Sequence, residues 1–153
     1  MNDPFFVRNM VYGLEDSLVS TSGMVIGMSV AGIPNATVIT AGTILILVES
    51  MSMAFGSFVS EDSFMTNTGT SHTWKDVIKY SVVMLGSYSL AGLIPMVPFL
   101  LNVPDAWKWS VAGTLLSLFG LMRWYKKKTT DAALLTAIAS AILTITILTS
   151  NHL

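Results

Sequence analysis

Three acidic residues stand where the surrounding chain least suits them. Glu15 and Asp16 lie side by side in VYGLEDSLVSTSGMVIGMSV, and Glu49 lies in VITAGTILILVESMSMAFG. Both stretches are otherwise apolar and small, with no Lys or Arg to neutralise the acids. A carboxylate near a bilayer centre costs roughly 2.5–3.5 kcal/mol on insertion scales, so it faces protein or water and marks an ion pathway. At helical spacing Asp16 shares a stripe with Ser20, Gly23, Met24 and Gly27, and Glu49 shares one with Ser52, Met53 and Gly56. Each stripe offers a carboxylate and a thioether. Oxygen ligands alone suit magnesium or calcium, while added sulfur shifts the preference toward softer first-row metals such as ferrous iron or manganese. The same carboxylates can take protons when the metal leaves, which would couple two ions. Methionine is also an ordinary filler of apolar gaps, and Met24 and Met53 are open to that reading. Glu15 lies about 100° around the helix from Asp16, so the two cannot face one site. One of them is left to bond another helix or reach the interface.

The elements that must hold these residues follow from composition. The chain has 153 residues, 52% hydrophobic and 11% charged, against roughly 25% charged in soluble domains. It reads as a membrane protein. A net charge of −1 and the lack of a basic arm with interleaved aromatics leave no surface for nucleic acid. With no cysteine, thiolate metal sites, disulfides and cysteine catalysis are excluded. MNDPFFVRNM is not a secretory signal, since Asp3 is misplaced and no cleavage site follows a short apolar core. The spans themselves must direct insertion, which leans toward a prokaryotic plasma membrane over a vacuolar one.

About 20 helical residues cross the hydrocarbon core, and five segments meet that length: residues 5–33, 36–60, 74–101, 106–125 and 131–149. Asp3 and Pro4 suit the cap and first position of the first span. GIPN breaks the chain, and Asn35 can cap the second span. EDSFMTNTGTSH reads as a polar loop. TWKD reads as a capping box opening the third span, with Thr73 the cap and Asp76 three residues on. Pro95 and Pro98 allow either a broken helix or a passive kink there. With the N-terminus in the cytosol, Arg8, Lys75, Lys79, Arg123, Lys126, Lys127 and Lys128 fall inside, leaving Lys108 outside, as the positive-inside rule requires. Trp74, Trp107, Trp109, Trp124 and Tyr125 fall near span ends, like an aromatic belt. In this topology Asp16 lies about 9 Å and Glu49 about 15 Å from the inner edge, so the acids can share an inner-half layer. The small-residue stripe Ser20, Gly23, Gly27 and Ala31 contains a GxxxG, which permits either dimerisation through the first span or close packing within one bundle.

Three stretches together resemble the vacuolar iron transporter family. YGLEDSLVSTSGMVIG is similar to its first-span signature, commonly written YGxxDGLVTT. ESMSMAFGSFVS is similar to its second-span run of an acid, Ser-Met-Ala, and a closing aromatic and Ser. AGLIPMVPFLL resembles its third-span IPxxP core. The resemblance implies a homodimer with a metal pathway along the subunit interface, lined by the first and second spans. It implies export of ferrous iron, often manganese, from the cytosol in exchange for protons. The pathway Asp matches Asp16, the pathway Met matches Met53, and Glu49 stands where many members carry Asp. Ser17 and Ser50 replace family glycines, and the cytosolic helical domain of fuller members is missing between spans two and three. Glu61, Asp62 and His72 could form a residual gathering site there, or simply a solvated loop.

No phosphate loop, HExxH or nucleophile elbow is present, so an enzyme is not indicated, and transport would run on gradients. The expectation is an all-α membrane protein of five transmembrane helices in one domain, N-terminus cytosolic, acting as a homodimer. Its partners would be the lipid bilayer, a divalent metal ion and protons. It needs no resident cofactor, Fe²⁺ or Mn²⁺ being the substrate. Asp16, Glu49, Met53, Met24 and Glu15 are the candidate metal residues. The alternative is a non-transporting membrane scaffold that keeps the fold and uses its acids to hold the dimer.

Overall fold

The computed structural model describes residues 3–68 and 73–125. They form four helices: α1 (Pro4–Val30), α2 (Asn35–Thr68), α3 (Trp74–Leu100) and α4 (Ala106–Tyr125). The expected fifth span, 131–149, lies outside the described residues.

α1 begins as its sequence dictates. The Asp3 carboxylate accepts from the Phe5 N–H at 3.1 Å and the Phe6 N–H at 3.4 Å, with Pro4 in the first turn. It ends at Val30, three residues before the expected end. Gly32 takes a left-handed φ of 75°, its N–H bonds to Ser29 O, and Ile33 N–H bonds to Met28 O. This pair of bonds is the Schellman stop, which glycine permits without strain. α3 stops the same way, with Asn102 at φ 50° in the glycine's place and Val103 N–H on Pro98 O. Asn35 does not cap α2. The Pro34 carbonyl accepts from Thr37 and Val38, and the Asn35 amide donates to Phe99 O at 3.0 Å and to Asn102, tying the α1–α2 and α3–α4 loops together. α3 opens with the Asp76 carboxylate accepting from Thr73 N–H at 2.9 Å and continues through Pro95 and Pro98 unbroken.

The larger departure is α2. Its helix does not end at Ser60 but runs to Thr68, so EDSFMTNT is helical rather than a polar loop. At 34 residues it spans about 51 Å, well beyond the roughly 30 Å of a hydrocarbon core. Packing explains the extension: Ser50, Ala54, Ser57, Glu61 and Met65 continue one buried stripe. Thr66 and Thr68 hydroxyls fold back onto carbonyls four residues earlier and so cease to compete with the helix.

α3 is the central support. α1 and α2 both pack chiefly on it and touch each other least. Toward the α1–α2 and α3–α4 loops, Val25, Ile26, Val38, Ile46, Met96 and Phe99 form a core cluster. At the opposite end Met65, Val77 and Tyr80 gather with Phe5, Phe6 and Phe58. Leu18, Ala91 and Leu118 join α1, α3 and α4. Gly13 lets α1 press onto α3, since a Cβ there would lie 2.9 Å from Met84 O. Outward-facing positions carry Leu47, Val48, Met51, Phe55, Leu90 and Leu116, a belt that needs an apolar surrounding. By length and hydropathy α2 and α3 can each cross a membrane. α1 is diluted by its acids and small polar residues, and it joins the bundle through packing.

Candidate metal site

α1 and α2 touch along a seam above α3, and the expected stripes lie off their buried faces. Asp16 is exposed on α1, and Glu49 is half-buried on α2. They lie within electrostatic reach: the charges acting on Asp16 are those of Glu49 and, next, of its neighbour Glu15. Glu15 is half-buried on a different face of α1 from exposed Asp16, as the helical rotation requires. Met53 is half-buried one turn below Glu49. Met24 packs against the outer apolar cluster of Val25 and Ile26, two turns above Asp16. Among the described residues, no three acidic or imidazole side chains converge closely enough to hold a metal within one chain.

Beneath the acids lies a residue that pattern reading missed. Tyr88 of α3 is fully buried, and its hydroxyl shares a 2.8 Å hydrogen bond with Ser20 Oγ. Ser17 Oγ donates to the Tyr88 carbonyl at 2.6 Å. Both Asp16 and Glu49 act electrostatically on Tyr88. The available signal was the tyrosine itself, since a buried phenol needs a polar partner. The serines of α1 supply it. Ser17, standing where the family pattern has glycine, fits because Gly92 leaves room: a Cβ at Gly92 would lie 2.7 Å from Ser17 Oγ.

The glycines along these stripes face open space. A Cβ added at Gly23, Gly27 or Gly56 would meet nothing within 4 Å. The close approach that the GxxxG permits is therefore not used by the described residues of this chain.

Toward the N-terminal end of α1, the seam closes in a polar cluster. Glu61 is not part of a solvated loop, nor does it join Asp62 in an open gathering site. It is buried, ion-paired with Arg8, and accepts from Asn9 Nδ2 at 3.0 Å. His72 lies outside the described residues. Ser57 Oγ donates to Asn9 Oδ1 at 2.6 Å. Nearby, burial pushes the Asp3 carboxyl up, but hydrogen bonds from Tyr80, Lys79, Phe6 and Phe5 outweigh it and hold its pKa below the ordinary 3.8.

Among the described residues the protein is all-helical, with two helices long and apolar enough to cross a membrane. The sequence model of the VIT family matches residues 7–68, covering all of α2 and α1 from Val7 onward. Over these residues the chain is similar to that family, the vacuolar iron transporters. The family is one of metal-ion transporters rather than enzymes. No curated protein matches the chain.

Proposed function

We propose that this protein moves a divalent transition metal, Fe²⁺ or Mn²⁺, out of the cytosol in exchange for protons. The observation that carries the reading is the pairing of Asp16 on α1 with Glu49 on α2 beside an unfilled glycine stripe. One chain supplies two carboxylates and the Met53 thioether, too few for a closed site. A second copy docked along Gly23 and Gly27 would double the donors around a shared axis. Carboxylate oxygen with thioether sulfur favours ferrous iron or manganese over calcium. Emptied of metal, opposed carboxylates repel and take up protons, which returns the site with the opposite load. In this reading the chain has five spans with a cytosolic N-terminus, the fifth being residues 131–149, and sits in a prokaryotic plasma membrane.

The test is uptake into proteoliposomes under a pH gradient, comparing Fe²⁺, Mn²⁺, Zn²⁺ and Ca²⁺. Gradient-dependent Fe²⁺ or Mn²⁺ flux, with acidification reversed by metal, is expected. Flux of no metal by folded protein would reject transport. The absence of a three-donor cluster in the described residues of one chain favours, as the second reading, a scaffold whose acids only join subunits. That scaffold would bind no metal.

A further inference from the structure

We infer that residues 131–149 occupy the apolar groove between α1, α3 and α4, running back antiparallel to α4. This rests on the proposed fifth span and on no particular transported ion. The groove holds about 370 Å³. Leu14 and Leu18 of α1 form one wall, Trp124 stands at the end where α4 finishes, and Ala91, Ser117 and Gly120 are the small residues between them. Among the described residues, a Cβ added at Gly120 would meet nothing within 4 Å, and one at Gly113 only the Ile94 side chain at 3.7 Å. Gly113, Ser117 and Gly120 fall at helical spacing, so α4 carries an open stripe of small residues along the groove.

The chain's own continuation points to the occupant. α4 ends at Tyr125, and only KKKTT separates it from residue 131. At no more than about 3.6 Å per residue this link reaches roughly 20 Å, about two helix spacings of 8–10 Å. A span that starts there and returns across the membrane must lie beside α4. On the far side of α4, Leu116 and Phe119 are 72% and 62% exposed, bulky residues suited to lipid. On the groove side, a helix would bury surface of α1 and α4 at once. The sequence of 131–149 fits that side. Ala133, Ala137 and Ala141 repeat every four residues, and small stripes facing each other let two helix backbones approach closely. Leu134, Ile138, Ile142 and Ile145 form the adjacent stripe and supply the bulk that the groove lacks. Leu14 and Leu18 lie about 160° around α1 from Asp16. The docked segment would therefore back α1 on the side away from the acids and leave the Asp16, Gly23 and Gly27 stripe uncovered.

The experiment uses the full chain in membranes, which has no cysteine of its own. Ser117→Cys is combined in turn with Ala137→Cys, Ile138→Cys, Ala139→Cys, Ser140→Cys and Ala141→Cys, and each pair is oxidised. A disulfide forms only where the two Cα atoms come within about 7 Å. The pairs on one helical face should lose both thiols to maleimide labelling while the chain stays monomeric on a denaturing gel. Phe119→Cys, on the opposite face of α4, should leave the same partners free. Free thiols in every Ser117→Cys pair would overturn the docking and leave the groove to lipid. Disulfide-linked dimers would overturn it in favour of a second copy. Gly120→Leu, placed in the groove, should lower the melting temperature by about 3 °C or more; an unchanged value would also count against the docking. Ser150→Cys separates this from the five-span reading. Labelling from outside by an impermeant reagent supports the span, so that free thiols at position 117 then sink the docking alone. Labelling only after the membrane is opened removes the span and the docking with it.

Discussion

Tyr88 and Asp3 each convert a local hydrogen bond into a measurable quantity. The Tyr88 phenol reaches Ser20 from beneath the acid pair, so Tyr88→Phe should cost about 1 kcal/mol of stability, read by chemical unfolding in detergent. Because it also loosens the α1 wall of the seam, metal affinity should weaken in the same variant. Asp3 caps α1 and accepts from Tyr80 Oη at 2.7 Å and Lys79 Nζ at 3.3 Å. Its carboxyl titrates below 3.8 in the folded protein, so its stabilisation is fully present above that value and is lost as pH falls through the folded pKa. The melting-temperature difference between wild type and Asp3→Asn should be constant from about pH 5 to 7 and shrink below about pH 4. A difference that grows with acid would refute the assignment. The Asp3–Pro4 cap was legible in two adjacent letters because capping is local. The Asp3–Tyr80 bond was not, since nothing in either segment says which helices lie side by side.

Among the elements, α2 shows where sequence patterning misleads. EDSFMTNT has the polar composition of a loop, yet Glu61 and Met65 fall on the buried stripe begun by Ser50. Tertiary packing thus overrides composition, and Arg8, 53 positions away, completes the ion pair. The acids and methionines on the α1 and α2 stripes were readable because helical periodicity puts them there wherever the helices dock. Close helix approach gives a test of the packing itself. Gly92→Ala sets a Cβ against Ser17 Oγ, which is held on the Tyr88 carbonyl, and against Ile46 at 2.7 Å. It should cost about 1–3 kcal/mol. Gly23→Leu adds bulk where nothing lies within 4 Å. It should leave one chain's fold intact and, on the proposed dimer along this stripe, convert dimer to monomer by light scattering. A dimer that tolerates Gly23→Leu would place the subunit contact elsewhere.

For the whole molecule, the cysteine-free chain makes topology directly testable. With the N-terminus cytosolic, a thiol at Ala36→Cys should react with an impermeant reagent from outside intact cells, and one at Ser63→Cys only after the membrane is opened. The reverse pattern would invert the transport direction. The helical character of the described residues was legible from their long apolar runs; which helices lie side by side on α3 was not, because span length and composition carry no pairing information.

In the proposed transport cycle Asp16 and Glu49 together carry the metal. Its most direct measurement is Mn²⁺ or Fe²⁺ flux into proteoliposomes for wild type, Asp16→Asn and Glu49→Gln, with dimer content checked in each sample. Each substitution is expected to abolish gradient-driven flux while the protein stays folded and keeps the wild-type oligomeric state. Undiminished flux in Asp16→Asn would contradict it.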